Sequence, residues 1–345
     1  GHAIKAEDFV YTWKSSLSPS CPSEQTQHLY LIKNAQNIKL GHMDAKYLGA
    51  RALSDTILEV ELENPTPYFL QVLFQPIFFA LPKHVDSVES NWMNNPQTFV
   101  CNGPFILKSW NHGSQIQAIK NPMYWDKNAV KLNDITVSMV EDEHTEFYMF
   151  ENGELDWAGS PNSSIPHDAI QSLKAKGLLH TSPMAEFYCF KFNTKAPPFD
   201  NIKMRKAFGL AMNREKIITN ILQSEQIPAL RVFPPILNQK AISMEKDQDE
   251  EKAQALFNEA LAEMKIEKEE LPPVILSFTR CEKHQRISEA LQQQWQKVFG
   301  ISIKLQSYEW NIFLDHLRRH NFQIAGRGWV ADFIDPLNFL DMYKY

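Results

Sequence analysis

PPVILSFT (272–279), HQRISEALQQQWQKVFG (284–300), ISIKLQSY (301–308), WNIFLDHLRR (310–319) and FQIAGRGW (322–329) follow one another near the end of the chain. Short runs rich in β-branched and aromatic residues alternate here with helix-length segments whose apolar residues recur every three or four positions. A parallel strand can be reached only by a crossover, so strands separated by helices of about ten to fifteen residues imply parallel βαβ units. The same texture begins upstream. The strand EFYCFKFN (186–193) precedes PPFDNIKMRKAFGLAMNREKIITNIL (197–222), where Met204, Ala207, Phe208 and Ala211 make one helical face. Asn213 is a good N-cap for a second helix. Between 250 and 264, Ala253, Leu256, Phe257, Ala260, Leu261 and Met264 form one stripe.

The first half reads differently. AEDFVYTWKSSL predicts a helix, with Phe9, Val10, Trp13 and Leu17 on one face and acidic residues in the first turn, where they suit the helix dipole. Strands are expected at 46–52 and 55–62, the second alternating Ile57, Glu59 and Glu61 with Leu58, Val60 and Leu62 as a half-buried hairpin strand. Pro65 and Pro67 break that pattern before an apolar helix, YFLQVLF. From 81 to 106 prolines, glycine and asparagine mix with aromatics, which reads as an ordered crossover between lobes. SQIQAIKN and DITVSMVED are again strands, followed by an amphipathic helix, EHTEFYMFENGELD, with Gly153 as its stop.

Composition narrows the function classes. The 345 residues are 43% hydrophobic and 22% charged, enough for two or three lobes with their own cores. A net charge of −6 argues against a nucleic-acid partner, for which a clustered basic excess is expected. No run is long and apolar enough to span a bilayer. Cys21, Cys101, Cys189 and Cys281 are scattered without a CxxC pair, so zinc-ribbon and redox motifs are absent. They read as buried thiols, with one or two disulfides left open. Twelve glycines and no GxSxG, Walker or GxGxxG motif remove the usual support for a nucleophile or a phosphate cradle. His316 and His320 in HLRRH have a spacing that can ligate zinc. However, Leu317 stands where a zincin needs glutamate and two arginines intervene, so a solvated helix face is expected and no metal site. Glu141, Asp142, Glu143 and Glu146 sit at a helix start, where carboxylates cap in preference to acid–base work.

One segment has the character of a binding site. AGRGWVADFIDP joins Gly326, Arg327, Gly328, Trp329 and Asp332 at the end of an expected parallel strand, where open α/β sheets bind ligands. A ring beside a carboxylate and an arginine suits a small zwitterion. Trp329 as core and Asp332 as a turn cap fit the same residues.

Several blocks now carry a resemblance: GHAIKAEDFVYTWK, LENPTPYF, VCNGPFILKSW with NPMYWD, ENGELD, NTKAPPFDNIKMRKAFGLAMNREKI, WQKVFGISIKLQSYEW and GWVADFIDPLNFL. In this order they resemble the dipeptide/oligopeptide family of ABC-transporter solute-binding proteins. The resemblance implies an α/β, flytrap-like fold of type II, with mixed sheets in two main lobes plus a small accessory lobe. The lobes are expected at 1–82, 83–185 and 186–345, with a peptide held between the last two. Family members also continue beyond both outer blocks, so the chain is expected to start and stop inside the pattern, with incomplete lobes. The implied function is capture of oligopeptides outside the cytoplasm, in the periplasm or as a lipoprotein on the outer face of the membrane. Delivery to an ABC permease, a monomer, no cofactor and no catalysis complete the expectation. Alternatives are a cell-wall peptide, haem or a nickel chelate on the same fold, a chaperone-like peptide holder without a transporter, or a secreted hydrolase.

By the same resemblance Asp332 takes the peptide's α-ammonium, Trp329 and Trp310 line side-chain pockets, and His284 lies where ligand carboxylates are met. Gly328 belongs to the same block. The family's arginine two residues before the Gly-Trp pair is here Gly326, with Arg327 displaced by one onto the opposite strand face. Leu317 replaces a second arginine, next to Arg318, and Val330 and Glu186 stand where a cysteine pair is expected. Recognition of the ligand's far end is therefore unassigned.

Overall fold

Two compact units, Gly1–Trp157 and Ala158–Tyr345, make up the computed structural model, which describes residues 1–89, 91–237 and 246–340.

In the first unit the helix α1 (Ala6–Ser16) forms on the expected stripe: Val10, Trp13 and Leu17 are buried. Trp13 anchors it, its ring edge-on to Phe78 at 5.7 Å and its indole N–H donating to the Phe78 carbonyl at 3.2 Å. Buried indoles need such a partner to offset lost hydration. The strands β1 (Ala50–Ser54) and β2 (Ile57–Val60) pair antiparallel, with Leu58 and Val60 on the more buried face as the alternation requires. The first strand starts later than expected because Asp44 accepts the Lys46 backbone N–H at 2.8 Å and holds Ala45–Tyr47 in a 3-10 turn. The apolar YFLQVLF segment shortens to one turn, Phe69–Val72.

A second, three-stranded antiparallel sheet follows: β3 (Phe105–Asn111), β4 (Gln115–Lys120) and β5 (Asp134–Ser138), in that order. β3 is a correction, since its residues begin inside the stretch read as a crossover. Its register with β4 supplies the pairing that its proline- and glycine-bounded sequence does not advertise. The helix α2 (Glu143–Glu151) forms where expected, with Phe147, Met149 and Phe150 half-buried and Gly153 just beyond it at φ +76°. Its acidic start does cap it. Asp142 accepts the Thr145 backbone N–H and hydroxyl, both at 2.8 Å, and these bonds hold its carboxyl below the ordinary range.

The second unit is built on a four-stranded sheet, ordered β6 (Glu186–Phe192), β9 (Ile324–Val330), β7 (Val274–Thr279), β8 (Ile303–Tyr308). The helices are α3 (Ile202–Leu210), α4 (Glu250–Met264), α5 (Glu282–Phe299) and α6 (Trp310–Arg318). The β7–α5–β8 and β8–α6–β9 crossovers give parallel strands, as their spacing requires. β6 departs from the parallel expectation: it runs antiparallel to β9, Glu186 opposite Val330 through Phe192 opposite Ile324. The chain leaves β6 through α3 and α4 and re-enters the sheet at β7, so no single crossover dictates the direction of β6, and an edge strand can pair either way.

One face of this sheet carries the core. Met204, Ala207 and Phe208 of α3 meet Ala253, Phe257 and Ala260 of α4, and Leu291, Trp295 and Phe299 of α5 close over Leu276 and Phe278. In α5, Ile287, Leu291, Trp295 and Phe299 recur every fourth residue, which lays one continuous ridge on the sheet. Gly300, at φ +66°, ends the helix in the left-handed conformation that glycine adopts without strain. Asn213 caps the short helix Arg214–Ile217 by accepting from the Lys216 N–H at 2.8 Å. Trp295 is fully buried, within ring contact of Phe208, and donates to the Phe208 carbonyl at 2.9 Å. Trp295→Ala is expected to destabilise the second unit by about 3–5 kcal/mol, read as a shift in the urea unfolding midpoint.

Candidate functional site

Three parallel strands end at one edge of the second unit's sheet, and each is followed by a residue singled out above. After β7 comes His284 in the first turn of α5; after β8 comes Trp310 at the start of α6; after β9 comes Asp332. Parallel strands necessarily place their carboxyl ends together, so the topology assembles what the sequence scatters.

The β6–β9 register decides which side chains share a face. On the core side lie Phe192 with Ile324, Phe190 with Gly326, Tyr188 with Gly328, and Glu186 with Val330. On the other side lie Lys191 with Ala325, Cys189 with Arg327, and Phe187 with Trp329. Gly326 and Arg327 therefore do occupy opposite faces.

Gly326 is filled from across the strand. A Cβ there would stand 2.5 Å from the Tyr188 hydroxyl and 2.9 Å from Cε1 of Phe190. The Tyr188 ring stacks on the His284 imidazole, centroids 4.8 Å apart at 25°. Its hydroxyl is buried without a hydrogen-bond partner, and burial drives its pKa upward. His284 in turn bonds through Nδ1 to the Thr279 hydroxyl at 2.6 Å, and burial pushes the imidazole down to about 4 from an ordinary value of 6.5. At neutral pH the ring is uncharged, so it can meet a ligand through a hydrogen bond but not as a cation.

Trp329 is half-buried and fixed. Its indole N–H donates to Oδ1 of the buried Asn338 at 2.7 Å, and the Arg327 guanidinium lies 5.9 Å from its ring centre. The segment after β9 folds back beneath this face. The Ala331 N–H bonds the Ala185 carbonyl at 2.8 Å, Phe333 is buried, and Phe339 packs on Phe187 at 5.3 Å. Asp332 is half-buried between Trp329 and Phe333 in the chain. Trp310 is 51% exposed on a separate element. Leu317 is half-buried and Arg318 exposed, at the end of α6.

Other expectations resolve here. All four cysteines are free thiols, and Cys101 and Cys281 are exposed, against the buried reading; Cys281 Sγ instead accepts the His284 N–H at 3.4 Å and caps α5. Glu186 and Val330, where the resemblance implies a cysteine pair, are direct cross-strand partners, a spacing at which two cysteines could bond. The histidines of HLRRH do not share a helix face. α6 stops at Arg318, His320 adopts φ +54°, and the His316 ring packs on Tyr308 at 4.4 Å.

Sequence reading missed Tyr188, Lys191 and Asn193. Two glycines spaced by two on one strand signal a bulky side chain opposite, but the partner strand is not local. Asn193 ties the ends of β6 and β9 together: its amide donates to the His320 and Phe322 carbonyls, both at 2.9 Å.

A family model described as bacterial extracellular solute-binding proteins, family 5 middle region, matches residues 1–345. The oligopeptide-binding protein OppA of Bacillus subtilis (strain 168) is 36% identical, over 100% of this chain and 64% of its own length. The periplasmic oligopeptide-binding protein OppA of Escherichia coli (strain K12) is 28% identical, over 99% and 63%. The chain thus spans less than two thirds of these relatives. A crystal structure of a periplasmic oligopeptide-binding protein from Borrelia burgdorferi superposes with TM-score 0.89 at 27% identity, covering 100% of this chain and 68% of that one. Listeria monocytogenes OppA bound to peptide gives 0.84 at 26%, covering 99% and 69%. These relatives share the type II binding-protein fold, α/β with mixed sheets.

Two outcomes test the geometry. Gly326→Ala is expected to cost about 1–3 kcal/mol by overpacking, and Tyr188→Phe, which removes the atom met first, should return part of that loss in the double variant. Strictly additive unfolding energies would contradict the contact. Because folding lowers the His284 pKa, the unfolded state holds the extra proton between about pH 6.5 and 4, and stability falls as pH drops through that window. His284→Asn should flatten the decline in unfolding midpoint between pH 7 and 4.

Proposed function

Because this chain belongs to the bacterial extracellular solute-binding proteins of family 5, we propose that it captures oligopeptides and presents them to the permease of an ABC importer. The observation that carries the reading is Asp332, two residues beyond the carboxyl end of β9 and three after a tryptophan hydrogen-bonded to Asn338. A carboxylate in that position meets the α-ammonium, the one charged group common to peptides with a free amino end, so it serves every sequence alike. Taking that ammonium out of water without a carboxylate would be costly. The half-buried Trp329 and the exposed Trp310 offer flat apolar surfaces that accept varied side chains. His284 contributes as a neutral hydrogen-bonding group. Relatives named for oligopeptide binding, one solved with peptide bound, support the ligand class.

The chain acts as a binding protein and releases its ligand chemically intact. It works outside the cytoplasm as a monomer, with the permease as its protein partner.

Asp332→Ala tests this. Isothermal calorimetry with a tetrapeptide pool should show affinity falling by roughly thirtyfold or more, the loss of one partner of a desolvated charge pair. N-acetylating the pool should lower its affinity for the unaltered chain to a similar degree. Equal affinity for both proteins, or cleaved peptide in the recovered ligand, would sink the proposal.

A further inference from the structure

Lys191 and Arg327 point to a subsite that the family blocks do not assign. They are diagonal neighbours on the β6–β9 ladder: Arg327 faces Cys189, and Lys191 stands two residues further along the same face. Sheet geometry places such diagonal positions about 7–8 Å apart. Both side chains are half-buried. Among the described residues neither has a carboxylate partner, although other cations of this chain do, such as Lys33 with Glu61 and Lys203 with Glu259 and Glu263.

That arrangement is unfavourable as it stands. Removing two like charges from water, close together and without a counter-charge, costs free energy that neither can recover from the other. Burial already pushes the Lys191 ammonium below its ordinary value, and the Arg327 charge pushes the same way. The neighbouring Cys189 supplies no anion at neutral pH, because burial raises its thiol. An arriving carboxylate would satisfy both cations. Arg327 is also oriented for this role, its guanidinium near the face of Trp329, whose own position Asn338 fixes.

Resting on the peptide reading above, we propose that Lys191 and Arg327 form an anion subsite that binds a carboxylate of the captured peptide. The subsite lies on the face of β9 opposite Gly326, where Tyr188 leaves no room for the side chain expected at that position. Arg327 and Asp332 are five residues apart on one segment, so the two sites are separated by at most roughly 18 Å of chain. One extended peptide can therefore reach from one to the other.

The carboxylate could come from the peptide's C-terminus or from an acidic side chain, and three tetrapeptide pools separate these sources. One pool has free C-terminal acids and no acidic residues, one has C-terminal amides and no acidic residues, and one has C-terminal amides with a glutamate. The full chain is expected to bind at least one carboxylate-bearing pool roughly tenfold or more tightly than the neutral amide pool. Lys191→Met with Arg327→Gln should bring that ratio close to one, whereas Lys191→Arg should keep it, which separates loss of charge from loss of fold. Equal binding of all three pools by the unaltered chain, or a ratio that survives the double variant, would overturn the subsite alone. Binding of no pool would remove the peptide reading and the subsite with it.

Discussion

Tyr188 and Phe190 project from β6 into the space left by Gly328 and Gly326 of β9, and that antiparallel fit sets the rest of the second unit. With the register fixed, Trp329 must stand beside Phe187, and Arg327 must share a face with Cys189 and Lys191. A slip of one residue would turn each of these side chains to the other face and drive Tyr188 away from His284. Asn193 pins the far end of the same ladder by bonding two carbonyls just ahead of β9. The glycines matter for their missing side chains, since even a methyl group at 326 meets the Tyr188 hydroxyl.

Electrostatics at the strand ends follow from this packing. The imidazole of His284 is neutral because it is sandwiched against Tyr188 and desolvated. Asp332 and the Lys191–Arg327 pair then provide opposite charges at separate places along β9 and the segment that follows it. A dipolar, extended ligand has complementary charges at its own ends. The tryptophan between these groups is immobilised by a hydrogen bond to a buried asparagine, so its ring surface is available at little entropic cost.

Much of this was legible in local patterns. The stripes of α3, α4 and α5, the caps at Asn213 and Asp142, and the β7–α5–β8–α6–β9 alternation all appear as periodicity and spacing, and each formed where expected. Trp329 and Asp332 stood out because their block ends an expected parallel strand, whereas His284 and Trp310 were singled out only by the family resemblance. The misses share a cause. β3 lies in a segment whose turn residues mask its pairing, and the direction of β6 depends on a partner far along the chain.

By itself the sequence determined most helices and strands of the second unit, which faces are apolar, and that a glycine stands at 326 beside Arg327. These are properties of spacing and side-chain chemistry, readable within a window of a few turns. Only the tertiary structure decided that Tyr188 occupies the place of the missing side chain, that His284 is held neutral, and that Lys191 joins Arg327. Period-two alternation says that a strand has two faces, but not which residue lies opposite. Cys189 and Arg327 are 138 positions apart, and no local preference can encode the register that makes them neighbours.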